Sequence, residues 1–220
     1  KCLDLMSPNF KLINSSSYNN SYTPLMFAAE NNKIDIVELL LNKKKNGKII
    51  CDVNRTAVNN ETALTLAIKY DNHKIAKILL NLNTIIDLNK QIKSGDTPLF
   101  LAIKKKNNDI SKAIINIDCQ QSFEDCDLNL VYKDKDKNTA LYLALNDNNT
   151  EIVKLLINKF ENLSKNTDPS HHMHDFYSKN VYESIQVGDK TFYEIASLKK
   201  NSEIINLFKT PFPPYLYKNI

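Results

Sequence analysis

The phrase Thr23-Pro24-Leu25-Met26-Phe27-Ala28-Ala29 returns in altered form four more times along this chain of 220 residues. Its copies are Thr62-Ala63-Leu64-Thr65-Leu66-Ala67, Thr97-Pro98-Leu99-Phe100-Leu101-Ala102, Thr139-Ala140-Leu141-Tyr142-Leu143-Ala144 and a fainter Thr191-Phe192-Tyr193-Glu194-Ile195-Ala196. Thirteen residues after each Thr stands an isoleucine: Ile36, Ile75, Ile110, Ile152 and Ile204. The same internal offset in five copies marks one supersecondary unit repeated and stacked, so the chain is an array and not a single globular core.

Each copy carries the physics of a short helix. Leu25, Ala28 and Ala29, like Leu99, Ala102 and Ile103, fall at i, i+3, i+4 and form one apolar stripe. The small alanines let a neighbouring helix approach closely. The opening Thr is a good N-cap, because its hydroxyl accepts a bond from an unpaired N–H of the first turn. Pro24 and Pro98 then take the first helical position, where a missing N–H costs nothing. A second helix is expected over phrases such as Ile36-Val37-Glu38-Leu39-Leu40-Leu41, Ile75-Ala76-Lys77-Ile78-Leu79-Leu80 and Ile152-Val153-Lys154-Leu155-Leu156-Ile157. The turn between the two helices needs a left-handed residue, yet the chain has three glycines. Asn32, Asp71 and Asn148 occupy that turn, with a Lys106-Asn107-Asn108 run in the third copy, and Asn and Asp tolerate that conformation best after glycine.

The Thr-Pro-Leu phrase, the second-helix phrase and the turn phrases Cys51-Asp52-Val53-Asn54, Ile86-Asp87-Leu88-Asn89 and Cys126-Asp127-Leu128-Asn129 together resemble ankyrin repeats. The resemblance covers roughly residues 18–208. It implies an all-α solenoid of stacked helix–turn–helix units with short β-turn fingers. The expected units are a partial repeat or cap at 1–17 (Phe10-Lys11-Leu12-Ile13-Asn14 ends it), then repeats at 18–57 and 58–92. A repeat with a loop insertion follows at 93–134, another with a long insertion (158–187) at 135–186, a degenerate cap at 187–210 and a tail at 211–220. Pro211, Pro213 and Pro214 are expected to stop the last helix. Where other members carry His in the fourth place of the phrase, this chain has Met26, Thr65, Phe100 and Tyr142, so hydrogen bonding there is expected to give way to packing.

Successive threonines lie 39, 35, 42 and 52 residues apart, against about 33 for the unadorned unit. The excess falls after the second helix, over 42–50, 81–85, 116–125 and 158–187. Such insertions emerge on one side of an array and often serve binding. The last holds Phe176, Tyr177 and Tyr182, with a candidate short helix over 180–186; it either packs back on the array or loops out.

Apolar content of 42 % and charged content of 25 % match ordinary globular usage, and no run of 18 apolar residues exists to span a membrane. The densest basic clusters, Lys43-Lys44-Lys45 and Lys104-Lys105-Lys106, are either a phosphate or membrane patch or plain solvated charge. Arg55 is the sole arginine, which argues against nucleic-acid binding, and an AT-rich genome explains the 28 lysines and 30 asparagines most simply. Cys51 and Cys126 sit at a buried structural position, while Cys119 and Cys126 flank an acidic loop; free thiols are expected over a disulfide framework. His171-His172-Met173-His174-Asp175 is the one cluster with metal-binding chemistry, but without a fixed scaffold or Cys partner no physiological metal is expected. His73 is expected to be structural. No phosphate loop, nucleophile elbow or paired catalytic carboxylates can be discerned, so neither a cofactor nor an enzymatic activity is expected.

The resemblance implies recognition of a protein partner by a concave face made of turn tips and the exposed side of each first helix. Carried over position by position, that face is Asn20, Tyr22, Glu30 and Asn31 in the first copy, and Asn59, Glu61, Lys69 and Tyr70 in the second. Ser94, Asp96, Lys104 and Lys105 follow in the third, then Asp136, Asn138, Asn146 and Asp147 in the fourth. Tyr22 and Tyr70 are the expected anchors, with rings projecting from the array, since large amphipathic rings dominate binding hot spots. A monomeric cytoplasmic interaction module is expected. The chain starts at Lys1, not Met, and with an incomplete repeat, which leaves open a targeting or regulatory array of a larger enzyme or membrane protein. A secreted effector that captures a host protein is the further alternative.

Overall fold

Each repeated threonine switches the chain from extended to helical geometry. The computed structural model describes residues 12–17, 21–82, 85–117, 128, 130, 132–166, 186–187 and 190–207. In it Thr23, Thr62, Thr97 and Thr139 have extended backbone, and their hydroxyls accept the N–H three residues on at 3.2–3.4 Å. Helices α1 (Pro24–Glu30), α3 (Ala63–Lys69), α5 (Pro98–Lys104) and α7 (Ala140–Asn146) start there. Each is followed by its partner: α2 (Ile34–Leu41), α4 (His73–Leu80), α6 (Asn108–Ile115) and α8 (Thr150–Asn166). The faint fifth copy completes the set with α9 (Phe192–Leu198) and α10 (Ser202–Leu207). The first helices pack in the order α1, α3, α5, α7, α9, and the second helices in the order α2, α4, α6, α8, α10. This is the expected all-α solenoid.

Burial follows the stripe read from the phrase. Leu25, Ala28 and Ala29 are buried, as are Leu64, Ala67 and Ile68, Leu99, Ala102 and Ile103, and Leu141, Ala144 and Leu145. Behind them Val37 and Leu40, Ile75 and Leu79, Ile110 and Ile114, and Ile152 and Leu156 fill the second layer. In the fifth unit Ile195, Ala196 and Ile204 are buried. Leu99 lies on α5, which packs between α3 and α7, and is 1 % exposed.

Backbone strain recurs at two fixed places in the unit. The inter-helix turns carry left-handed Asn32 (φ 54°), Asp71 (φ 59°), Asn148 (φ 57°), Lys106 (φ 56°) and Lys200 (φ 55°). In the third copy the chain therefore places a lysine, not one of the two asparagines after it, in the disfavoured conformation. The second place lies two residues before the capping threonine, at Ser21, Asn60, Gly95 and Lys137.

Asparagine joins the units. Asn14 donates to the Ile50 carbonyl (3.0 Å) and accepts from the Asp52 N–H (2.8 Å). Asn54 repeats this one unit on, with the Ile85 carbonyl (2.6 Å) and the Asp87 N–H (2.8 Å). The shared pattern puts Asn14 at the end of a turn phrase, as its sequence suggests. Asn107, Asn149 and Asn201 precede the second helices and accept the N–H three residues on.

Several expectations need correction. At two of the four His-like places hydrogen bonding survives: Thr65 Oγ1 accepts the Thr62 N–H at 2.7 Å and the Met26 sulfur accepts the Thr23 N–H at 3.4 Å. The excess over 42–50 folds as a hairpin, β1 (Lys44–Lys45) paired with β2 (Lys48–Ile49) around Asn46-Gly47, the residue pair that favours a tight two-residue turn. A second short hairpin pairs β3 (Gln186–Val187) with β4 (Lys190–Thr191). The last insertion, over 158–187, begins as helix and not after it, since α8 runs on to Asn166 where its counterparts have eight residues. The Cys119, Cys126 and His171–His174 expectations, residues 180–185 of the candidate helix, and the prolines from Pro211 on lie outside the described residues, while Gln186, the last residue of that candidate helix, belongs to β3. Cys51 is a buried free thiol, pushed up to about 12 by burial and by the neighbouring Asp52 charge.

Leu99→Ala should lower stability by roughly 2–5 kcal/mol, through lost burial plus a cavity. A thermal melt followed by circular dichroism checks it, with the parent chain as reference. Lys106→Gly should act oppositely, raising stability by about 1 kcal/mol as left-handed strain is relieved, less the backbone entropy that glycine loses.

Candidate functional site

A reverse turn precedes each of α3, α5 and α7, and its closure fixes where the exposed side chains stand. The Ala57 N–H bonds the Glu61 carbonyl (2.9 Å), Ile92 bonds Asp96 (3.0 Å) and Asp134 bonds Asn138 (3.0 Å) in the same way. The three fingers so formed also bond each other. The Lys93 N–H donates to the Asn59 carbonyl (2.8 Å), and Gln91 Nε2 donates to the Lys133 carbonyl (3.2 Å). Gly95 (φ 85°) lies so near the next finger that a Cβ there would come within 3.0 Å of the Lys135 nitrogen.

Carboxylates at the finger bases tie these turns to the last turn of the following helix. Glu61 is buried and its Oε1 accepts Lys69 Nζ at 2.7 Å. Asp96, also buried, meets Lys104 Nζ at 2.6 Å, and the same ammonium reaches Asp134 Oδ2 at 3.0 Å. Asp134 further accepts the N–H groups of Asp136 (3.0 Å) and Asn138 (2.9 Å), so it folds its own finger. Burial alone would lift the Asp134 carboxyl, but the hydrogen bonds from Lys104 and Asn138 outweigh it and hold the group below its ordinary 3.8. Burial likewise opposes the Lys104 charge, while Asp96 and Asp134 together raise its pKa above 10.5. Lys69 is raised chiefly by its bond to Glu61.

The expected recognition residues divide accordingly. Tyr22 does not project: it is 8 % exposed, its hydroxyl donates to Glu61 Oε2 at 3.3 Å, and its ring meets Phe27 edge-on at 5.2 Å. Burial, then the Glu61 charge, keeps its phenol protonated far above the usual range. Glu61 and Asp96 are buried in the ion pairs just described. Their burial was not legible from their places at the turn tips. Tyr70 does project, at 46 % exposed, beside a Glu30 carboxylate that accepts from its hydroxyl and with Lys69 Nζ 5.5 Å from its ring centre. Asn31, Asn59, Ser94, Lys105, Asp136, Asn146 and Asp147 are exposed, as are Lys69 and Lys104, while Glu30 and Asn138 are half-buried. Asn20 lies outside the described residues.

Two residues of this face were missed. Asp134 stands where the other described fingers have Ala57 and Ile92, and that lone switch to a carboxylate was the available signal. Val58, 68 % exposed, is an apolar residue at a finger tip where Lys93 and Lys135 stand in the next two copies. The Lys104–Lys106 cluster is not an open anion patch. Lys104 is paired as above, Lys105 meets Asp71 at 2.9 Å and Lys106 meets Asp147 at 3.7 Å. His73 opens α4 with its ring 4.0 Å from Asp71. Among the described residues no group of three metal-ligating side chains is found, and no helix is long and apolar enough to cross a membrane.

Short capped helix pairs, stacked in register behind a row of bonded fingers, define a class of repeat proteins built to present one extended face. A family model described as ankyrin repeats matches the chain in three overlapping copies, over residues 2–92, 47–125 and 82–167. The chain belongs to the ankyrin-repeat family. Comparison with curated proteins gives no match.

Because the Asp134 pKa is lower folded than unfolded, its stabilising effect is complete above the ordinary value of 3.8 and is lost as pH falls through the folded value. Asp134→Asn should therefore destabilise the chain at pH 7 and flatten the acid side of its stability–pH curve. Chemical denaturation at pH 7, 4 and 3 checks both effects. Equal slopes in parent and variant would remove Asp134 as the acid-sensitive group.

Proposed function

We propose that this chain is an interaction module that captures a protein partner on the face made by the fingers and the exposed ends of the first helices. Arrays of ankyrin repeats are generally protein-binding modules and typically not catalysts. The observation that carries the finer reading is the pairing of two exposed apolar side chains in one unit. Val58 tips the finger of the second repeat and Tyr70 ends its first helix. The Glu61–Lys69 ion pair holds finger base and helix end together, so both side chains stand on a fixed frame. A preset anchor of this kind loses little entropy on binding. Around it the polar residues Asn59, Glu30 and Ser94 supply a rim that satisfies itself in water when no partner is present.

Affinity capture with the intact chain, followed by titration of the recovered partner, tests this reading. Tyr70→Ala with Val58→Ser should weaken binding by about 2 kcal/mol or more, roughly thirtyfold, while the melting curve stays at the parent position. Tyr22→Ala should instead lower stability, because it empties a buried site and strips Glu61 of a donor. Unchanged affinity in the Val58 and Tyr70 variant would place the working surface elsewhere.

A further inference from the structure

The lysines of this array fall into two populations. Those on the helices and inter-helix turns of the second and third units are largely neutralised from within: Lys69 by Glu61, Lys77 by Asp109, Lys104 by Asp96 and Asp134, Lys105 by Asp71, Lys106 by Asp147, and Lys112 by Glu151. The lysines of the third and fourth fingers are not. Lys93, Lys133, Lys135 and Lys137 are exposed, Lys90 is half-buried, and none of the five enters an ion pair among the described residues. Of the three carboxylates on these two fingers, Asp96 and Asp134 are buried and bound to Lys104, which leaves only Asp136 exposed.

These charges stand on a rigid row. Lys93 and Lys135 occupy the same place on neighbouring fingers, four residues before their capping threonines. The Gln91–Lys133 bond and the close approach of Gly95 to Lys135 lock the two fingers side by side. Lys93 in turn is bonded through its N–H to Asn59, next to Val58. The row therefore runs from an apolar tip on the second finger to basic tips on the third and fourth. Stacked helices lie about 8–10 Å apart, and an extended chain advances roughly 3.3 Å per residue, so one unit corresponds to about three residues of an extended segment.

Resting on the interaction reading above, we propose that the partner presents an extended acidic segment that lies along the finger tips. An apolar residue of that segment sits at Val58 and Tyr70, and carboxylates at about three-residue intervals meet Lys93 and then Lys133 and Lys135. The neutralised helix ends behind the row give the segment its polar floor and add no net attraction, so the fingers set its sign. Isolated lysines on the third and fourth fingers, neither of which carries an arginine, suit flexible carboxylates better than the planar, bidentate recognition of bases or backbone phosphates.

The test pans a random twelve-residue peptide library displayed on phage against the intact chain in 50 mM salt. Enriched peptides, made synthetically with a fluorophore, are then titrated by polarisation against three proteins: the parent, the variant Lys93→Glu, Lys133→Glu, Lys135→Glu, and the variant Val58→Ser, Tyr70→Ala. All substituted side chains are exposed, and matching melting curves confirm an intact fold. Enriched sequences should pair an apolar residue with acidic residues about three apart. Their affinity should fall at least tenfold on finger reversal, and also on raising salt to about 300 mM, because exposed charges are screened over about 8–10 Å at ordinary ionic strength. Neutral or basic consensus peptides, no enrichment, or affinity indifferent to finger reversal would overturn the proposal. So would a fluorescent oligo(dT) of twenty nucleotides that binds more tightly than the peptides and loses that binding on finger reversal. The two readings separate cleanly. Loss on Val58 and Tyr70 substitution alone keeps the interaction face and removes the acidic segment; loss on finger reversal alone keeps the acidic segment and moves the apolar anchor.

Discussion

Everything in this molecule depends on burial between neighbouring first helices. Helices α1, α3, α5 and α7 have seven residues each, well below the length at which an isolated helix holds in water. None buries its stripe within its own unit alone. Leu64, Ala67 and Ile68 become solvent-free because α1 and α5 close on either side of α3. Local signals such as the threonine caps decide where helices start. The stacking decides that they exist.

That division explains what was legible in the sequence. Caps, stripes and the Thr-to-Ile offset are local and periodic, so unit number, helix starts and core residues such as Leu99 could be placed from residues alone. Lys106 shows where local reasoning stops. Two asparagines stand beside it, yet helix register puts the lysine at the left-handed position and Asn107 at the cap of α6. The abundance of asparagine likewise has a structural side beyond composition. Asn14 and Asn54 stitch successive units, and Asn72 donates to the carbonyls of Ala29 (2.7 Å) and Glu30 (2.9 Å) across a junction.

The candidate face was less legible, for a physical reason. Tyr22, Glu61 and Asp96 share one position in the unit, just before the capping threonine. A polar residue beside a turn suggests exposure, but the finger folds that position down onto the helix end, where a partner waits eight residues on in Lys69 or Lys104. Only the approach of finger to helix reveals the pairing. Asp134 was hidden further still, because its ammonium partner belongs to the preceding unit.

The charges that cross the junctions give the array a property that its repeating core would not. Lys105 meets Asp71 and Lys77 meets Asp109 between the second and third units; Lys106 meets Asp147 and Lys112 meets Glu151 between the third and fourth. Lys154 meets Glu203 between the fourth and fifth. Their apolar stripes are nearly interchangeable, so packing alone would tolerate the units in any sequence. Three of the pairs, Lys77–Asp109, Lys112–Glu151 and Lys154–Glu203, join the same two positions of successive second helices and so repeat with the core, but the third unit alone sets Lys105 and Lys106 between acidic residues, Asp71 and Asp147, of both its neighbours. The third place in the stack is thus marked on its rim: a unit with an acidic turn spliced in there would retain its core while setting like charges side by side, a bias of at most about 1 kcal/mol per exposed pair.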